Sequence, residues 1–162
     1  MRKLFTAALS FILIYISFSV AGFLFPIDQS WYNQLDKPCW TPAGGSIGII
    51  WGVLFGLISL ALSIIVYRYG YKEIPKSVWF VLLMNYVFNQ LFSYFQFIQK
   101  DLLLASIDCV LVAVTSLWLT ILLFKKNRIS GSLLIPYVVW SSFATVLAFT
   151  IYSLNPGMTA LF

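Results

Sequence analysis

Five apolar stretches, about residues 4–25, 46–69, 77–98, 102–124 and 132–155, alternate along the chain with short polar connections. Each is long enough to cross a hydrocarbon core of about 30 Å as a tilted helix. The pattern predicts an all-α integral membrane protein: one domain over residues 1–162, a bundle of five transmembrane helices, with a long loop between the first two. The first stretch also fits a signal peptide, with Arg2 and Lys3 at its head and Ser19-Val20-Ala21 as a small-residue site. Its apolar run exceeds the usual core of about 7–15 residues, which favours a span.

The long loop is unlike a simple connector. Trp31-Tyr32-Asn33-Gln34-Leu35-Asp36-Lys37-Pro38-Cys39-Trp40-Thr41-Pro42 sets bulky aromatics among two prolines that remove backbone donors and push their predecessors toward extended conformations. Rings of this kind want an apolar body and a satisfied polar tip together. The segment is expected to fold back as a lid over one end of the bundle.

Polar positions inside the spans mark the rest of the pattern. Gly48, Gly52 and Gly56 recur every four residues in the second span, a stripe that admits a neighbouring backbone, either within the chain or across a homodimer seam. Trp51 and Phe55 lie off that stripe. In the third span Asn85, Asn89, Ser93 and Gln96 share one helical face, which Phe92 joins. Amides in lipid must be paired, so this face looks inward, as interhelical glue or as the wall of a ligand cavity. Asp108 is the one acid within any apolar run, and both a structural and a ligand- or ion-handling role are open to it. Ala105, Cys109 and Ala113 form a small-residue stripe beside it. In the last span Pro136, Trp140, Ala144, Ala148 and Tyr152 recur on one face, and Asn155-Pro156-Gly157 ends the helix.

Composition sharpens this picture. The chain is 61% hydrophobic and 9% charged, too apolar to cover a globule with polar surface. Its formal charge of +5 sits in termini and connections with no base-stacking module, which excludes nucleic acid as a partner. Arg2 and Lys3, then Arg68, Lys72 and Lys76, then Lys125, Lys126 and Arg128 fall on one side; Lys37 and Lys100 fall on the other. By this bias the N-terminus is cytosolic and the C-terminus and the lid are outside. There is no histidine, which removes imidazole metal ligation and imidazole base chemistry. Cys39 and Cys109 belong at different depths, so no disulfide is expected.

Taken together, these residues resemble the TspO/MBR family, known in animals as the translocator protein or peripheral benzodiazepine receptor. The family's first-loop pattern W-Y-x-x-L-x-K-P-x-W-x-P-P is met at Trp31, Tyr32, Leu35, Lys37, Pro38, Trp40 and Pro42, with Ala43 in place of the last proline. Trp51 fits the tryptophan at the top of the second helix. The third-helix pattern L-N-x-x-W-S-x-x-F-F is met at Asn89 and Ser93, while Phe92 replaces Trp and Gln96 replaces Phe. The fifth-helix pattern P-Y-x-x-W-x-x-F-A-x-x-L is complete at Pro136, Tyr137, Trp140, Phe143, Ala144 and Leu147, and Asn155 meets the terminal L-N.

The resemblance implies a bundle, often dimeric, that binds porphyrins and benzodiazepine-type drugs beneath the lid, in a bacterial cell membrane. It carries the pocket wall to Tyr32, Pro42, Trp51, Phe55, Asn89, Phe92, Ser93, Gln96, Cys109, Trp140 and Ala144. Porphyrin is then ligand or substrate, with no further cofactor required. As a substrate it would be degraded in light or oxygen through the indoles of Trp51 and Trp140; transport is a third possibility. Trp31 and Trp40 are expected to anchor the lid at the bilayer interface, and Lys37 to point into water rather than to a propionate. Sterol binding at the fifth helix is not expected, because Leu147 and Tyr152 lack a following Lys or Arg.

Overall fold

A computed structural model describes residues 1–157. Its helices are α1 (Arg2–Ser19), α2 (Ala21–Leu24), α3 (Gln29–Gln34), α4 (Gly44–Tyr69), α5 (Lys76–Ser93), α6 (Leu102–Lys126), α7 (Arg128–Leu133) and α8 (Ile135–Leu154). Five spans long and apolar enough to cross a membrane result: Arg2–Leu24, Gly44–Tyr69, Lys76–Gln99, Leu102–Lys126 and Arg128–Leu154. Large apolar side chains face outward on all of them, for instance Leu13, Val53, Phe80, Trp118 and Val139. That is the surface a hydrocarbon solvent requires, and helices suit it because their backbone groups are paired within the segment.

The spans form a ring in which α1 packs on α4, α4 on α7 and α8, α8 on α6, α6 on α5, and α5 back on α1. Apolar burial drives little of this in lipid, so small residues set the close approaches. At Gly131 an added Cβ would run into the Phe124 ring, so only glycine lets α7 sit so close to α6. A Cβ added at Gly52 or Gly56 would lie 3.8 Å from the Tyr15 hydroxyl or 3.9 Å from the Tyr15 ring of α1, so two members of the glycine stripe face a contact within the chain.

Two departures from helical regularity have local causes. The last span breaks at Leu134, because Pro136 lacks an N–H and its ring displaces the carbonyl one turn back. The span therefore begins at Arg128, one turn before the expected 132. The third span ends in a π-helical turn, Tyr94–Gln99, closed by Lys100 in the left-handed region (φ 56°). The Asp101 N–H donates to the Phe95 carbonyl at 3.0 Å across this turn, and the Asp101 carboxylate caps α6 by accepting from Leu104 N–H at 2.9 Å.

Packing is uneven along the bundle. Toward α7 the centre is filled: Ile58, Ala61, Leu62 and Ile65 of α4 meet Val81, Leu119, Leu134 and Tyr137 with essentially no exposure. Toward the lid a smaller cluster joins Trp31 and Leu35 to Leu102, Leu147 and Ile151. Between these clusters the ring is hollow. The eight Lys and Arg of the N-terminus and of the α4–α5 and α6–α7 connections lie at the end remote from the lid.

A lidded cavity as the candidate functional site

The hollow is a cavity of about 330 Å³ walled by every span. The π-helical turn shapes one wall. By spreading an extra residue through the turn it brings Ser93, Gln96 and Phe97 to the cavity together, alongside Asn89 and Phe92. From α4 come Trp51 and Phe55 with Gly48 and Gly52, whose missing side chains leave room; from α6 comes Cys109; from α8 come Trp140, Phe143, Ala144 and Leu147. Tyr32 and Gln29 of α3 close the lid side.

The structure thus brings together Tyr32, Trp51, Phe55, Asn89, Phe92, Ser93, Gln96, Cys109, Trp140 and Ala144. Pro42 is not among the wall residues. A turn in which Thr41 N–H and Oγ1 both donate to the Pro38 carbonyl, at 3.0 and 2.7 Å, delivers Pro42 into the start of α4, and Gly44 and Ile47 take the wall there. Asp108 also lies outside the wall. Its carboxyl is buried on α6, and Oδ2 has no hydrogen-bond partner among the described residues. Besides Gln29, Phe97, Phe143 and Leu147, sequence reasoning missed the first span, whose Phe18, Ser19, Ala21, Gly22 and Phe25 line the cavity. Their spacing of three and four residues was the available signal, hidden in a segment with apolar residues all round.

Aromatic rings dominate the chemistry. Trp51 stands edge-on to Trp140, with centroids 6.4 Å apart and planes at 84°, and edge-on to Tyr137 at 6.2 Å. Trp140 leans on Phe143 at 5.3 Å, and Phe143 meets Trp40 of the lid at 5.7 Å. The indole Nε1 of Trp140 is buried without a partner among the described residues. Asn89 gives its Nδ2 to Tyr137 Oη at 2.7 Å and to the Asn85 carbonyl at 2.8 Å, so its oxygen is the group left for the wall. No group of three or more His, Cys, Asp or Glu side chains that could hold a metal occurs among the described residues.

The lid is fastened by polar clasps. Asn155 at the end of α8 donates to the Asp36 carbonyl at 2.8 Å and accepts from its N–H at 2.9 Å. Lys100 pairs with Asp28 at 2.9 Å, and Asp28 caps α3 by accepting from Trp31 N–H at 3.1 Å. Hydrogen bonds from Ser30 and then Lys100 hold the Asp28 carboxyl well below the usual range, while burial raises the Tyr32 phenol above its ordinary value.

Two expectations for the lid fail. Lys37 does not point into water: its ammonium donates to the carbonyls of Tyr32 and Leu35 at 2.5 and 2.9 Å and lies 4.7 Å from the Tyr32 ring centroid, stapling the lid to itself. Two carbonyls and a ring face within reach satisfy the cation better than a single solvent-facing pose. Trp31 is not an interfacial anchor either. It is 8% exposed, packed over Leu102 and Leu147, with the Lys100 ammonium 5.5 Å from its ring. Trp40 does remain exposed.

Comparison with known proteins agrees with this architecture. A model of the TspO/MBR family matches residues 8–154. The chain is 56% identical over 145 residues to the tryptophan-rich protein TspO of Bacillus cereus, covering 90% of this chain and 94% of that one. It is 55% identical over 155 residues to the membrane protein YtaB of Bacillus subtilis, covering 96% and 99%. The human translocator protein is 26% identical over 133 residues, covering 78% and 76%. A five-span membrane bundle, a lid that closes an aromatic cavity and a family match over nearly its whole length make this chain a member of the TspO/MBR family.

Proposed function

We propose that the protein is a membrane receptor or sensor that binds tetrapyrroles such as protoporphyrin IX, and benzodiazepine-type drugs, in the lidded cavity. The observation that carries this reading is the wall itself: Trp51 and Trp140 meet edge-on in an apolar hollow to which Asn89, Ser93 and Gln96 add a few polar groups. A flat ring with a few polar edges needs such a surface. Relatives carry names that fit, among them the tryptophan-rich sensory protein of Cereibacter sphaeroides. The cavity lies near the lower end of the ligand-pocket range of about 300–1,000 Å³, so a macrocycle seated here presses on its walls. On this reading the lid faces the non-cytosolic side, and no cofactor besides the ligand is needed.

The test is saturable quenching of tryptophan fluorescence by protoporphyrin IX. Trp51→Phe and Trp140→Phe should each weaken affinity about fivefold, as expected for losing about 1 kcal/mol of ring contact. Equal affinity in both variants would remove this site. Mass spectrometry of the recovered porphyrin separates binding, which leaves it intact, from degradation.

A further inference from the structure

The outer surface between α4 and α8 carries a second hollow, an apolar groove lined by Ile49, Val53, Leu57, Pro136 and Val139 on its flanks. Ile49, Val53 and Val139 are 71%, 58% and 64% exposed, and they lie within spanning segments, so acyl chains cover them. Ile50, Leu54, Trp140 and Phe143 complete its lining, and of all the groove residues Trp140 and Phe143 are the two that also line the inner cavity. We propose that Trp140 and Phe143 form a lateral gate, through which a flat ligand dissolved in the bilayer reaches the cavity between α4 and α8 without passing the lid. The proposal rests on the tetrapyrrole reading above.

The two ways into the cavity differ in what must be broken. Passing the lid means parting the Asn155–Asp36 pair of hydrogen bonds and the Lys100–Asp28 ion pair, and lifting Trp31 out of its cluster. Passing the gate means turning two rings that hold no hydrogen bond: Trp140 Nε1 has no partner, and Phe143 has none to make. Near the gate α4 meets α8 through rings: Trp51 packs edge-on against Tyr137, which its hydrogen bonds to Asn85 and Asn89 hold in place, and against Trp140, which is free to turn without moving a helix. The groove flanks offer no polar group. They therefore suit a ligand that arrives apolar face first, from a phase in which it is already concentrated by partition.

The experiment uses the full chain in phosphatidylcholine vesicles loaded with protoporphyrin IX, with stopped-flow quenching to give association and dissociation rates. Val53→Phe together with Val139→Phe fills the groove with side chains that are not part of the cavity wall. Both rates should fall about tenfold, because the barrier is raised for passage in either direction. The equilibrium Kd should stay within about twofold, because the bound state is untouched. Loosening the lid with Asn155→Ala should leave the association rate within about twofold of wild type. Unchanged rates in the groove variant, or association accelerated by Asn155→Ala, would overturn the gate while leaving the receptor reading intact. Absence of saturable binding in the wild type would overturn both.

Discussion

At the middle of the bundle Asn85, Asn89, Tyr137 and Thr115 share one connected set of hydrogen bonds, and at the lid two separate pairs, Lys100 with Asp28 and Asn155 with the Asp36 backbone, make another set. The chemistry is similar but the surroundings are opposite. Asn85 is fully buried: its Nδ2 donates to Thr115 Oγ1 at 2.9 Å and its Oδ1 accepts from Tyr137 Oη at 2.8 Å, tying α5 to α6 and α8. Opening that set in lipid leaves each member with nowhere to turn. Opening the lid set merely exchanges protein partners for water. Polar groups of the same kind thus make a permanent joint at one depth and a releasable fastening at the other. Asn89, which is both joint and cavity wall, holds the binding surface rigid on the side away from the lid.

The most severe way to break this contrast is to cut the central joint. Asn85→Ala takes away the acceptor of the Tyr137 O–H and the amide that joins α5 to Thr115, while Thr115 keeps its Leu111 carbonyl and Tyr137 its Asn89 donor, and the expected cost is about 1–3 kcal/mol of bundle stability. Thermal unfolding of the purified protein in detergent, followed by far-ultraviolet circular dichroism, reads this directly. A midpoint equal to wild type would show that the joint is dispensable and would erase the difference between the two sets.

How much of this was legible beforehand follows the same line between depth and surface. Long apolar runs announce spans by length alone, so the second span, expected at 46–69, begins within two residues of that at Gly44. Helical spacing placed Asn85, Asn89, Ser93 and Gln96 on one face, and the face does look inward: the first two build the joint, and the last three line the cavity. What spacing cannot convey is the direction of a loop side chain. Trp31 was misplaced because an amphipathic ring suits the interface and the interior equally, and Lys37 because its partners are backbone carbonyls, which every sequence has. The π-helical turn left no trace either, since Tyr94–Gln99 contains neither glycine nor proline. The cavity face of the first span was hard to single out because Ser19 is its one hydroxyl, and Thr6, Ser10 and Ser17 are scattered over the rest of the same helix.

A milder cut tests the lid alone. Asn155→Ala removes both hydrogen bonds to the Asp36 backbone, partly solvated, and should cost about 0.5–1 kcal/mol. The signature is local. Amide exchange across residues 28–43 should quicken several-fold, about fivefold, while peptides from α5 and α6 keep their wild-type protection. Equal acceleration in the spans would mean that the lid and the bundle open as one unit, and the contrast drawn above would fail.

The smallest effect belongs to Asp28, and its sign is fixed by the direction of its shift. The carboxyl is held below its ordinary value of 3.8, first by the Ser30 hydroxyl, then by Lys100 and by Trp31 N–H. A carboxylate depressed on folding stabilises above its unfolded value, and that contribution is lost as pH falls through the folded one. The stability difference between wild type and Asp28→Asn should therefore be flat from about pH 5 to 8, and shrink only below about pH 4. The difference itself should be slight. Asparagine is as good a helix cap as aspartate, and the Lys100 and Asp28 side chains are 41% and 37% exposed, which leaves their attraction open to screening. At 1 M salt, where screening acts over about 3 Å, the Lys100 share should fade while the neutral Ser30 and Trp31 hydrogen bonds persist. A difference that vanished in salt would make Lys100 the main support of this corner, and one that changed between pH 5 and 8 would assign the titration to some other group.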